Sequence, residues 1–268
     1  MPPQFLSMLR VETRAVVTRA AGLAALAVAV VVPVLLLAGL AALKFKLEAA
    51  GDAQQNQMLA QYFQGTAADA AGLALRARNF FVLPMFLLLA TGGTLAGELA
   101  DHTLRELLVR PVPRWSVVVA KFGALMALSL ATLVLTGVPA VLGSLLLFPE
   151  PGALTDLALG FAASALSDAG LIALGLLVGT IVRGTGGVVV AVVFGLMIDV
   201  AARGVMFVLA KVGFPQLDAV RELLPGSALA AWEGWTDGFQ TQPFVGLGLL
   251  LVVGLGGAIL RLQRMDVP

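Results

Sequence analysis

Apolar residues in this chain fall into six long runs, at about residues 20–43, 80–97, 122–148, 157–182, 187–210 and 244–260, separated by more polar stretches. Crossing about 30 Å of hydrocarbon as helix takes roughly 20 apolar residues, and each run meets or approaches that length. None alternates with period two. Lipid offers no partner for backbone N–H and C=O groups, so only helices or a closed barrel can span it, and continuous apolar runs select helices. The predicted fold is all-α and polytopic, six spans in a single membrane domain over 1–268. Ahead of the first span, Ser7, Arg10, Arg14 and Thr18 recur at three- and four-residue steps, with Phe5, Leu6, Leu9, Val16 and Val17 largely on the other side. That pattern predicts an interfacial helix over 1–19. A cleaved signal peptide is the alternative, but the apolar run here is 24 residues, longer than the roughly 7–15 of such signals. Pro33 removes a backbone donor in mid-span and predicts a kink.

Composition agrees with a bilayer solvent. Of 268 residues 59% are apolar and 12% charged, and the mean hydropathy is +0.97, outside the range of soluble domains. The absence of cysteine excludes disulfides, thiolate metal sites and cysteine nucleophiles, and the single histidine, His102, leaves no basis for a metal site. A net charge of +1 without a basic, aromatic-studded patch excludes a nucleic-acid partner. With the N-terminus cytoplasmic, the inner segments hold Arg10, Arg14, Arg19, Arg105, Arg110, Arg114, Lys121, Arg183, Arg261 and Arg264, ten in all. The outer segments hold Lys44, Lys46, Arg76, Arg78, Arg203, Lys211 and Arg221, seven in all. The inner segments are short, where charge weighs most on topology, so both termini are expected in the cytoplasm.

Two outer segments result, a loop over 44–79 and a segment over 211–242. The centre of the first, Gly51 to Met58, reads as surface helix or disordered chain, and Trp232 and Trp235 in the second read as membrane-boundary anchors, with a substrate contact as the alternative. Pro149-Glu150-Pro151-Gly152 predicts a tight outer turn. The inner turn Arg183-Gly184-Thr185-Gly186-Gly187 lacks the Gly-Lys-Ser/Thr ending of a phosphate loop.

Between the second and third runs lies a polar island over 98–115. Thr103-Leu104-Arg105-Glu106 fits the S/T-x-x-E capping box, and Pro111 ends the short helix that starts there near Arg110, with Leu104, Leu107 and Leu108 along it. A capped surface turn is the plain reading of that spacing. The island also resembles the coupling segment of ABC-2 type transporter permeases: Glu98 matches the family's acid, Thr103-Leu104 its Thr-Leu, Leu107-Leu108 its leucine turn, Arg110-Pro111 its Arg-Pro, and Arg114-Trp115 with Lys121 the segment leading into the next span. His102 stands where glycine is usual and Val109 where serine is common.

The resemblance implies the membrane half of an ATP-driven transporter, more in keeping with export, in a cell's inner membrane. It implies a separate cytoplasmic ABC-type ATPase that carries the ATP and Mg, with no cofactor on this chain, no catalytic site of its own, and a homodimer of permease chains embedded in lipid. In that reading Glu98, Thr103, Leu104, Arg105, Glu106, Leu107, Leu108, Arg110, Pro111 and Arg114 form the ATPase docking segment.

Inside the predicted spans stand Asp168, Asp199 and Arg203. Each charge at mid-bilayer costs on the order of 2.5–3.5 kcal/mol on insertion scales, so they are expected to face protein or water. An Asp199–Arg203 pair one turn apart and a hydrogen-bonded Asp168, charged or neutral, are one account; a place on the transport pathway or at a dimer contact is the other. Two rivals remain: a permease-like subunit that transmits ATPase work to an extracytoplasmic assembly without transport, and an ion-coupled secondary transporter using Asp168 and Asp199. An intramembrane hydrolase lacks a base within reach of Ser164 or Ser167.

Overall fold

The computed structural model describes residues 3–50, 65–80, 82–103, 113–182, 184–235 and 241–265. These form helices α1 (Pro3–Thr18), α2 (Ala20–Ala50), α3 (Ala67–Phe80), α4 (Val82–Thr94), α5 (Ala96–Ala100), α6 (Arg114–Leu147), α7 (Leu154–Gly179), α8 (Thr185–Val212), α9 (Gln216–Leu223), α10 (Pro225–Leu229), a 3-10 turn (Ala231–Trp235) and α11 (Thr241–Arg264). No strand occurs among the described residues, and six helices are long and apolar enough to cross a membrane. The all-α, six-span fold read from the sequence is the fold observed.

The spans run alternately up and down. At the proximal end, where α1 packs on α6, Arg19 ahead of α2 meets Glu98 of α5, and the Gly184 N–H ahead of α8 donates to Ala96 O at 3.2 Å. At the distal end Lys44 of α2 donates to Leu147 O of α6 at 2.6 Å. The first and last described helices both have an end at the proximal side, where Arg114 of α6 meets the C-terminus of α11. Val16, Leu87, Val117, Leu125, Ile172 and Leu262 form the core of that side, drawing on α1, α4, α6, α7 and α11.

The second apolar stretch long enough to cross a membrane, Leu83–Ala100, agrees with the run read at 80–97. What the sequence reading did not show is the helix that precedes it: α3, in the stretch read as part of an outer loop, packs against α2, α6 and α7. With α4 and α5 it carries the chain from the distal to the proximal end. Its polar residues made it look like a loop, yet Ala67, Ala68, Ala70, Ala71, Gly72 and Ala74 are all buried. Small side chains let helix backbones approach closely, which is what drives association where lipid is as apolar as leucine. The start of α3 is fully provided for: Thr66 and Asp69 cap each other, with Oγ1 to Oδ2 at 2.7 Å and Asp69 N–H to Thr66 Oγ1 at 3.2 Å. The Ala67 and Ala68 N–H groups donate to Glu150 O and Pro151 O of the α6–α7 turn. The centre of the expected loop, Gly51 to Met58, lies outside the described residues.

Pro33 sits inside α2 as expected, and the carbonyl it leaves without a helical donor, Ala29 O, accepts from the Thr136 hydroxyl of α6 at 3.0 Å. The segment after α8 also departs from its reading. Instead of lying wholly outside, it turns back into the bundle: the Gly226 N–H at the start of α10 donates to Asp199 Oδ2 at 3.1 Å. Asp199 is thirteen residues short of the end of α8, about 20 Å of helical rise. Trp232 packs beside α7 and is buried, so it is not an outward-facing anchor.

Candidate functional site

Two groups of charges are built into the bundle. The proximal group forms where α1, α5 and α6 converge. Lys121, about two turns into α6, is wholly enclosed at 0% exposure. Its ammonium donates to Glu12 Oε1 and Oε2 at 3.0 and 3.1 Å and to Glu98 Oε2 at 2.6 Å. The other Glu98 oxygen accepts from Arg19 Nη2 at 2.8 Å. Two carboxylates and two cations cancel, and each partner satisfies another, which is the condition under which buried charge is tolerated. Glu98 and Lys121, the acid and the lysine that flank the polar island in sequence, thus meet in space.

The island itself is held at both ends. On one side Asp101 closes α5 with its N–H on Gly97 O, and His102 follows at φ +59, the sole left-handed non-glycine among the described residues. A left-handed residue just past a helix end is the usual terminating device, and glycine is its usual occupant, which is where the sequence differs from the family pattern. Thr103 donates to Glu98 O at 3.4 Å. On the other side Arg114 Nη1 donates to Leu262 O, Gln263 O and Met265 O at 3.1, 3.1 and 2.7 Å, covering the C-terminal carbonyls of α11. Leu104, Arg105, Glu106, Leu107, Leu108, Arg110 and Pro111 lie outside the described residues, as does Arg183.

The second group lies deeper. Asp168 of α7 pairs with Arg78 of α3 at 2.6 Å, the two being 5% and 2% exposed. Ser129 donates to the same carboxylate oxygen at 2.6 Å, and Arg78 also donates to Thr132 Oγ1 at 3.0 Å and Asn79 Oδ1 at 2.6 Å. Asn79 in turn donates to Ser164 at 2.7 Å. Ser129 and Thr132 stand eight and eleven residues beyond Lys121 on α6, about 12–16 Å of rise. The sequence reading singled out Asp168 but set Arg78 in an outer loop. Asp199 and Arg203 pair at 2.8 Å one turn apart on α8, as the spacing predicted, and Gly226 supplies the further hydrogen bond. A Cβ there would sit 2.2 Å from Asp199 Oδ2 and 2.4 Å from Arg203 Nη2, so any side chain at 226 would have to displace the pair.

A cavity of about 340 Å³ joins the two pairs; Asn79, Ser167, Asp168, Arg203, Gly226 and Trp232 are among the residues lining it. The three intramembrane charges named from sequence therefore converge on one space, Asp199 through its hold on Gly226 and Arg203. No cluster of metal-ligating side chains occurs among the described residues.

Sequence reasoning missed Glu12 and Arg78. Glu12 had a signal, being a lone acid three residues after Leu9 and four before Val16, on the otherwise apolar face of α1. For Arg78 the signal was Thr66-Ala67-Ala68-Asp69, a capping motif announcing a helix where a loop was read. In comparisons with known proteins no curated protein matches the chain, whereas a family model described as ABC-2 family transporter protein matches residues 21–202.

Proposed function

The chain belongs to the ABC-2 transporter family, multi-pass membrane subunits that work with ATPase subunits, and from that premise we propose that it is the permease half of an ATP-driven exporter. In this reading the island over 98–115 docks a separate cytoplasmic ATPase, which carries the ATP and Mg, and two permease chains form the working core in the inner membrane with their proximal ends in the cytoplasm. Charge placement supports the orientation. Two of the seven cations assigned outside, Arg78 and Arg203, and two of the inner ten, Arg19 and Lys121, are committed to ion pairs within the bundle, so the inner excess of the sequence tally is kept.

The observation that carries the reading is how the island is anchored. Its leading end is tied through Glu98 to Lys121, Glu12 and Arg19, and its trailing end through Arg114 to the carbonyls of α11. A displacement of the docked segment is thereby passed to α1, α6 and α11 together. Glu98 and Arg114 act as these ties, leaving Arg105, Glu106 and Arg110 as polar docking contacts and Leu107 and Leu108 as apolar ones. ATP drives the cycle only through contacts that differ between its two states, and a rigidly anchored segment converts closure of the ATPases into such a difference.

The test is affinity purification of the tagged chain from its own host in mild detergent, with mass spectrometry of its companions, for the native protein and for Glu106→Lys and Arg110→Glu. An ABC-type ATPase accompanies the native chain and is lost from both variants while their gel-filtration profiles stay unchanged. If a well-folded native chain brings down no ATPase even after cross-linking, the reading fails.

A further inference from the structure

The cavity between the two buried ion pairs is chemically one-sided. Most of its wall is apolar, and two aromatic residues, Phe80 and Trp232, line it. Phe80, Met197 and Val200 line the space and are also exposed on the outside of the bundle, so its mouth opens laterally between the α3–α4 junction and α8. Its charges do not cancel. Asp168 is balanced by Arg78 and Arg203 by Asp199, while Glu233, also on the wall, has no ion-pair partner among the described residues. Unused hydrogen-bonding capacity also reaches this space. Ser167, 6% exposed and on the cavity wall, has a hydroxyl without a partner, whereas the other unpaired buried atom nearby, Arg78 Nε, belongs to a residue that does not line the cavity. Beside it, Asp168 receives Arg78 and Ser129 on Oδ2, and no partner for Oδ1 is found among the described residues. A buried hydroxyl left unpaired is costly unless a ligand completes it.

We propose that this cavity binds an amphipathic organic cation, an ammonium head carried on an alkyl or aryl body. The head sits among Glu233, the Asp168 Oδ1 and Ser167, with the ring faces of Trp232 and Phe80 adding cation–π attraction, and the body lies along the apolar wall toward the mouth. A volume of about 340 Å³ is in the range of small-molecule sites. As a statement of what the protein exports, this rests on the transporter reading above; as a statement of binding it stands on the cavity alone.

Trp232 supplies the readout. With Trp115→Phe and Trp235→Phe it is the sole indole of the three in the chain, and a bromine carried beside the probe's head group quenches it on contact. In nanodiscs containing the permease without its ATPase, 2-bromo-4-octyloxybenzylamine quenches Trp232 saturably, and the corresponding benzyl alcohol and benzoate bind at least about tenfold more weakly, the size of a lost charge-assisted contact. Glu233→Gln and Ser167→Ala each weaken the amine about 3–10-fold and leave the alcohol unchanged. Both side chains lie outside the ion pairs that hold the bundle, so gel filtration of these variants matches the native chain. Equal quenching by amine and alcohol, stronger quenching by the carboxylate, or quenching that rises linearly without saturation overturns the proposal. Because no ATPase is present, a failure here leaves the docking result standing, and a failure of docking leaves this one standing.

Discussion

Arg78 and Asp168 show what a buried pair demands of its surroundings. The guanidinium is nearly sealed from outside, and its contacts reach three helices: Asp168 on α7, Thr132 on α6 and Asn79 beside it on α3. Removing one partner strands the other, so Arg78→Leu is expected to destabilise the protein by about 3–5 kcal/mol, whereas Arg78→Leu with Asp168→Leu recovers most of the loss. Chemical denaturation in detergent micelles measures both; a double variant no more stable than the single one would mean that packing and not charge dominates there. His102 presents the opposite case, a strained residue at the surface. An L-residue in the left-handed region costs about 1–2 kcal/mol, part of which glycine gives back as unfolded-state freedom. His102→Gly is therefore expected to raise the melting temperature by an amount corresponding to about 1 kcal/mol or less, and a fall would indicate that the imidazole makes a contact of its own.

At the scale of elements, α2 and α6 are coupled by a defect. Pro33 deprives Ala29 O of its donor, and Thr136 replaces it. Thr136→Val is expected to cost about 1–3 kcal/mol in the native background. In a Pro33→Ala background, where the helix supplies its own N–H, the same change costs clearly less, and the two measurements close a double-mutant cycle. Equal costs in both backgrounds would remove the link between proline and threonine. Nothing in the sequence of α2 shows which neighbour repairs it, since Thr136 lies 107 residues away. The same limit applies to α3. Its apolar content falls below that of a span because alanine, glycine and two arginines fill it, and hydropathy measures affinity for lipid, whereas this helix is packed among other helices. Its capping residues were readable; its depth was not.

For the whole molecule, the number of spans, their helical nature and their order were legible because each depends on local composition. The convergence of charges was not. Glu12 and Lys121 are 109 residues apart and Arg78 and Asp168 are 90 apart, and a pairing across such distances is set by how helices pack, not by any motif either residue carries. Where the sequence supplied both ends of a contact within one turn, as for Asp199 and Arg203, the pair was predicted and found. The segment after α8 falls between these cases. Its glycine and Trp232 were noted, but only the packing of α10 and the 3-10 turn against α7 and α8 shows that these two reach into the bundle.

The grip of Arg114 on the carbonyls of α11 has a consequence for the order of synthesis. The island over 98–115 leaves the ribosome before α7, α8 and α11, yet its trailing anchor consists of backbone atoms within residues 262–265. Until those residues have been translated and α11 has inserted, Arg114 has nothing to hold and the segment is tied at one end only. If the segment docks an ATPase as proposed, a half-made chain offers it an unfinished seat, and partner recruitment follows insertion of the final described helix.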